Sequence, residues 1–336
     1  MKVAAITGTR SCALVERPEP RIKANFVKIK IMAAPMCTEW HAYRDGHATE
    51  TIGHEAAGEV VEVAQPGRVK AGDRVVVMPQ NPCGTCSLCL SGEYIHCAHG
   101  IDPHKICDSP PGRATCAQFC IQQDWMLMPI PAGMSYDHAS MACCGLGPTF
   151  NACEMMQVDR FDTVLVAGLG PVGLGAVVNA RYRGARVLAF ESNPYRVALA
   201  AKMGVAAVID PADKDAVQKI NDLTDGHGAD KSIETSSAQD APAMLVKATR
   251  RKGQIASVGW GGPVMMNQIV GRGQTVHGAW HWRHQEHAGR MLATIAGSAD
   301  LLDMHITHTF PMSRVGDAFE LQLTGQCGKI ILRPWE

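Results

Sequence analysis

Apolar and polar positions alternate with a period of two in the first third of the chain. FVKIKIMA (26–33), AGEVVEVA (57–64) and DRVVVMP (73–79) are short β-rich runs broken by Gly, Pro and Asp, the pattern of half-buried strands in a barrel or sandwich. From about 146 to 280 the texture changes. TVLVAG, RVLAFE, AAVID and GQIASVGW are apolar runs separated by helix-period stretches such as PVGLGAVVNARYRG and PYRVALAAKMG. Strands buried on both faces that alternate with helices predict a parallel sheet covered on both sides. A helical run, EHAGRMLATIAGS, then precedes DAFELQLTG and a last strand, GKIILRP. Residues 98–114, with little periodicity, read as a loop, and RRKG at 250–253 reads as a solvated turn closing a helix.

The length, 336 residues with 46% apolar content, favours two domains over one. Lys plus Arg and Asp plus Glu both total 32, so no net field draws the chain to nucleic acid or to an anionic membrane. No leader-like apolar segment opens the sequence and no run of eighteen apolar residues occurs, so a cytoplasmic protein is expected. The cysteine count, 13, is odd, and no N-x-S/T sequon is present. Reduced thiols and metal fit that better than disulfides.

Two motifs carry chemistry on their own spelling. VLVAGLGPVGLGA contains G-x-G-x-x-G at Gly168, Gly170 and Gly173, after a strand and opening a helix through Pro171 and Val172. The first glycine allows the tight turn, the second lets a pyrophosphate approach the backbone, and the third lets helix and strand pack closely. Glu191, at the end of RVLAFE, is placed to accept hydrogen bonds from the adenosine ribose, which favours NAD; Arg196 beside it keeps NADP open. The second motif is C-x2-C-x2-C-x7-C, at Cys83, Cys86, Cys89 and Cys97. Four thiolates complete a tetrahedral Zn²⁺ sphere and leave no place for substrate, so this cluster is a clasp.

Chemistry needs an open metal position, and Cys37, His54, Glu55, Cys143 and Cys144 are the candidates scattered along the chain. A cysteine near 37, GHEAAGEVVEVA (53–64), VKAGDRVVV (69–77), the four-cysteine loop, CGLGPTFNA (144–152) and GLGPVG occur in that order. In this order the chain resembles the zinc-containing medium-chain alcohol dehydrogenases, including the polyol and threonine enzymes, over essentially its whole length. The resemblance implies an α/β protein. A GroES-like β-rich catalytic domain would span 1–146 with a structural zinc lobe at 83–97, a Rossmann doubly wound cofactor domain would span 147–282, and 283–336 would return to the catalytic domain. It implies two Zn²⁺ per chain and NAD, with Cys37, His54 and Cys144 holding the catalytic zinc and Glu55 behind them. Cys143 rivals Cys144, and counting back from His41 would put Met36 at the first ligand.

Relatives commonly read C-G-T-D-x-H after that ligand, whereas MCTEWH here is one residue shorter. Thr38 and His41 look like the family's proton relay, rephased by the deletion, and Glu39 is either a partner to a neighbouring cation or a group at the metal's outer shell. Trp280 and His281 border the nicotinamide by the same register, and Lys329 matches a basic position that touches the pyrophosphate; a surface lysine is its bland alternative. His277, His284 and His287 are read as solvent-exposed histidines of a polar helix face and not as metal ligands. Trp40, His41, Trp280 and His281 would give a pocket with polar edges suited to a polyol, sugar or cyclitol. A threonine-type amino alcohol, a sugar phosphate, or a dinucleotide sensor without turnover are the alternatives. A small-molecule alcohol or ketone is the expected partner, and the resemblance implies a homodimer or homotetramer.

Overall fold

The computed structural model describes residues 1–110 and 115–336. Seven strands, Lys2–Gly8 (β1), Ser11–Glu16 (β2), Phe26–Pro35 (β3), Ala56–Val63 (β4), Arg74–Val77 (β5), Phe119–Gln123 (β6) and Leu127–Pro129 (β7), make up the β-rich first part. The period-two pattern has its expected effect in β3. Val27, Ile29 and Ile31 enter the core while Lys28 pairs with Glu62 and Lys30 lies over the Trp335 ring.

Six parallel strands follow: Thr163–Ala167 (β8), Arg186–Phe190 (β9), Ala207–Ile209 (β10), Ala229–Glu234 (β11), Thr249–Ser257 (β12) and Thr275–Gly278 (β13). They lie in the order β10-β9-β8-β11-β12-β13. Counted within the domain this is 3-2-1-4-5-6, the doubly wound dinucleotide order, in which ligands sit at the carboxyl ends where the order reverses. In β8, Val164 and Val166 join one core cluster while Leu165 and Ala167 join the opposite one. Both faces are covered, which is why the run reads as continuously apolar.

The last strands, Ile306–Pro311 (β14) and Lys329–Arg333 (β15), leave the parallel sheet and join the first one, β15 pairing antiparallel with β3. The helix His284–Ala296 and its successor Ala299–His305 pack Met291, Ile295 and Leu302 into the same cluster as Val164, Leu174 and Val177. That cluster also contains Ala57, Val76, Met78 and Cys143, so the two halves share a core where they meet.

Two local expectations are corrected. RRKG belongs to β12 and not to a turn; Lys252 has φ +60°, a kink inside the strand. Within 98–114, Pro103–Ile106 forms one helical turn capped by the Asp102 side chain. Residues 111–114 of that expected loop lie outside the described residues.

Candidate active site

Cys37 follows the end of β3, His54 and Glu55 immediately precede β4, and Cys144 lies in the turn before the helix Gly147–Met156. Their ligand atoms all lie within 4.8 Å of one another. His54 Nε2 is 3.2 Å from Cys144 Sγ. Cys143 is turned away, its thiol 3.4 Å from the Val77 carbonyl, and Met36 is buried in the β-rich core. The geometry therefore selects Cys37 and Cys144 from the alternatives left by the sequence.

Glu39 decides the orientation of the imidazole. Its Oε1 is 2.7 Å from His54 Nδ1 and its Oε2 accepts the Cys37 backbone N–H at 2.8 Å. A carboxylate beside Nδ1 favours the proton there and leaves the Nε2 lone pair to bind a metal, the arrangement common to metal-bound histidines. Burial opposes a charge on His54, but hydrogen bonds with Cys37 and Glu39 outweigh it and raise the imidazole to about 11. The Cys37 thiol is held well below its ordinary value, first by a hydrogen bond with Cys144 and then by Lys329 and His54. The site thus stabilises positive charge between two sulfurs and a carboxylate. That donor set fits a divalent ion with N and S ligands and an open fourth place.

Lys329 is neither at the surface nor free to meet a pyrophosphate. It is fully buried at the start of β15, and its Nζ donates to Glu55 Oε1 at 2.6 Å. Burial opposes its charge, but Glu55, Cys37 and Cys144 keep it protonated. It balances the negative charge behind the ligands. Nothing in the sequence pairs two residues 274 positions apart.

The ligands open on a cleft of about 460 Å³ lined by Thr38, Val172, Thr235, Ser237, Trp260, Trp280 and His281 among others. Thr38 thus faces the cleft. Trp40 and His41 do not: His41 is exposed on the short helix Trp40–Asp45 and stacks on Trp40 with centroids 3.7 Å apart. The expected relay through His41 is not assembled, and the polar edge of the pocket comes from Thr38, Thr235, Ser237 and His281.

The helix Pro171–Tyr182 starts at Gly170 with no side-chain cap, so its first N–H groups remain available to an anion. Gly168 has φ +86°, and a Cβ on Gly173 would lie 1.9 Å from the Gly168 carbonyl oxygen. These features fit a pyrophosphate cradle. Glu191 Oε2 accepts the Leu169 N–H at 2.7 Å, and Oε1 accepts those of Ser192 and Asn193 at 2.9 Å each. It organises the glycine turn, and Arg196 Nη1 stands 3.9 Å from it. Sequence reading missed Gly175. A Cβ there would lie 2.0 Å from the Gly145 carbonyl oxygen, so its absence lets the cofactor helix touch the residue after Cys144. Metal ligand and dinucleotide helix are held in register by that contact.

In the four-cysteine lobe, Cys86 Sγ lies 3.5 Å from Cys89 and 3.9 Å from Cys97, and Cys83 Sγ lies 3.9 Å from Cys89. Zn–S bonds of about 2.3 Å place tetrahedral sulfurs about 3.8 Å apart, so the set fits a closed zinc site. The lobe borders the cleft through Ile95 and is tied to the segment before the 284–296 helix by Arg283–Glu93 at 2.8 Å. His277, His284 and His287 join neither ligand group among the described residues. His277 bonds Gln254, and His284 bonds the Trp125 carbonyl.

Residues 23–132 match a family described as alcohol dehydrogenase GroES-like domain, and residues 171–296 match one described as zinc-binding dehydrogenase. An L-threonine 3-dehydrogenase from Bacillus licheniformis is 32% identical over 94% of this chain and 94% of its own length. The chain belongs to the zinc-containing medium-chain alcohol dehydrogenases. A sorbitol dehydrogenase from Bacillus subtilis is 28% identical over 99% of this chain and 97% of its own. An alcohol dehydrogenase from Thermus sp. ATN1 has the same fold, with a TM-score of 0.87 at 22% identity over 99% of both chains. This medium-chain dehydrogenase is a zinc-dependent, NAD-linked enzyme that acts on alcohol groups. No helix among its described residues is long and apolar enough to cross a membrane.

Proposed function

We propose that this dehydrogenase interconverts an uncharged secondary alcohol of the polyol, sugar or cyclitol class and its ketone, using NAD. One observation carries the reading: among the described residues, the cleft that holds Cys37, His54 and Cys144 is lined by no Lys, Arg, Asp or Glu. An amino acid or a sugar phosphate would leave its charged groups unpaired there, at a cost of several kcal/mol. Threonine and sugar phosphates are therefore disfavoured even though threonine dehydrogenases are among the relatives. A sensor that binds without turnover has no use for an open ligand triad beside the dinucleotide helix.

A zinc ion held by Cys37, His54 and Cys144 would supply Lewis acidity to the substrate hydroxyl, and NAD at the Gly168–Gly173 turn would supply the hydride acceptor. The protein's own groups do the rest. Cys37, His54 and Cys144 hold the ion, Glu39 keeps the His54 proton on Nδ1, and Lys329 with Glu55 balances the charge behind them. The Thr38 hydroxyl, on the cleft wall, receives the substrate proton through a hydrogen bond and passes it toward solvent.

Thirteen unbridged thiols suit a reducing, cytoplasmic compartment. Among the described strands β13 pairs only with β12 and leaves its other edge open beside exposed Met266, Val270 and Val276, which supports pairing with a second copy. Sedimentation tests this: a dimer or tetramer is expected, and a monomer refutes it.

Assay of the zinc-loaded enzyme with NAD on a panel of alcohols tests the activity. NADH formation with neutral polyols, lost in Cys37→Ser, is expected. NADH binding without turnover of any alcohol would refute the proposal.

A further inference from the structure

Among the described residues, His281 is a buried polar group of the cleft that no protein atom satisfies. It is 3% exposed, and neither Nδ1 nor Nε2 has a hydrogen-bond partner, although the Trp282 backbone lies near enough to influence the ring. A buried imidazole without partners costs about 1–3 kcal/mol, and such a group in a cleft wall calls for a ligand that completes it. The next residue, Trp282, is buried and donates through Nε1 to the Ala142 carbonyl at 2.8 Å, two residues from Cys144. The polar edge is thus fastened to the same turn that supplies a metal ligand.

Burial lowers this imidazole to about 3, with His284 and His54 adding to the effect. At neutral pH it carries no charge and presents one N–H donor and one acceptor. That pair matches a hydroxyl, which both donates and accepts; to a phosphate or carboxylate it offers one N–H and no balancing charge. On the same wall Trp260 and Trp280 meet edge to face with centroids 6.0 Å apart, and His96 packs on Trp280. Aromatic faces there suit the C–H face of a saturated ring.

Resting on the dehydrogenase reading above, we propose that His281 is the specificity-determining residue that binds a second, non-reacting hydroxyl, so that the preferred substrates are ring-shaped diols or polyols with neighbouring hydroxyls. A mono-alcohol of the same ring leaves the imidazole unsatisfied. A site built to bond a hydroxyl rejects the analogue that lacks it.

The test compares 1,2-cyclohexanediol (cis and trans isomers separately) with cyclohexanol at saturating NAD, in the wild type, His281→Phe and His281→Gln. It also follows binding of each alcohol to the enzyme–NADH complex by NADH fluorescence. In the wild type at least one diol should exceed cyclohexanol in kcat/KM by about tenfold or more, chiefly through KM, and should bind correspondingly tighter. His281→Phe should bring both ratios close to one, and His281→Gln, which keeps a donor and an acceptor, should retain part of the preference. A wild-type ratio near one for both isomers overturns the proposal, whatever the variants' folding; so does a ratio that survives in His281→Phe. Turnover of cyclohexanol with no diol preference refutes only this proposal, whereas no turnover of any alcohol refutes the dehydrogenase reading beneath it.

Discussion

Glu39→Gln is the perturbation that separates a positioned imidazole from an incidental one. The carboxylate accepts the Cys37 N–H at 2.8 Å through one oxygen and lies 2.7 Å from His54 Nδ1 through the other, an ion-pair contact. An amide has one accepting oxygen. If that oxygen keeps the Cys37 N–H, the NH₂ faces His54 Nδ1 and can be satisfied only when the imidazole proton moves to Nε2, the atom needed for the metal. If it keeps His54, the backbone of a ligand residue loses its anchor. Either way one charge-assisted hydrogen bond, worth about 1.5–3 kcal/mol, is lost, and loss of such a partner lowers metal affinity by about 10–100-fold. Chelator competition with a zinc indicator measures this. In Glu39→Gln one of the two zincs should be released at a chelator concentration 10–100-fold below that needed for the wild type, while the cysteine-lobe zinc is unchanged. Glu39→Asp, one methylene shorter, cannot span both donors and should fall in the same range. Wild-type release from Glu39→Gln would refute the reasoning.

Lys329→Met leaves the Glu55 carboxylate buried without its partner, a loss of about 3–5 kcal/mol. Denaturant unfolding should show it, with part recovered in the double variant with Glu55→Gln. Gly175→Ala forces the cofactor helix from the Gly145 carbonyl at about 1–3 kcal/mol, and both the unfolding temperature and the zinc content should fall. His284 and His305 are lowered to about 4 and about 3 by burial. Their unfolded value is about 6.5, so the folded state resists a proton that the unfolded chain accepts. Stability is full above about pH 6.5 and is lost as pH falls toward the folded values, by about 2 kcal/mol for each at pH 5. A His305→Gln variant with an unchanged pH-stability curve would contradict this.

The sequence makes legible those features whose cause is local. Period-two alternation in β3, double-sided apolar runs in the parallel sheet, and the glycine turn at 168–173 each arise from contacts within a few residues or from a strand's two faces. The ligand triad was legible only as a resemblance, since 37, 54 and 144 converge through the sheet and carry no shared local signal. Glu39's role was hidden because its contacts with His54 Nδ1 and the Cys37 N–H form only in three dimensions. Lys329 was misassigned for a related reason: its position at a strand start reads as exposed until β15 is seen inserted beside β3. RRKG was read as a turn from its charges, yet those residues belong to β12, where Arg250 pairs with Asp230.

The central claim is that Cys37, His54 and Cys144 hold a divalent ion whose free side faces the cleft. Diffraction at the zinc absorption edge on the loaded enzyme tests it directly. Two anomalous peaks are expected for each chain: one among Cys83, Cys86, Cys89 and Cys97, and one within bonding distance of Cys37 Sγ, His54 Nε2 and Cys144 Sγ with its fourth side toward Thr38. A fully loaded crystal with a peak only in the cysteine lobe, or with Glu55 filling the fourth place in every liganded state, would contradict it.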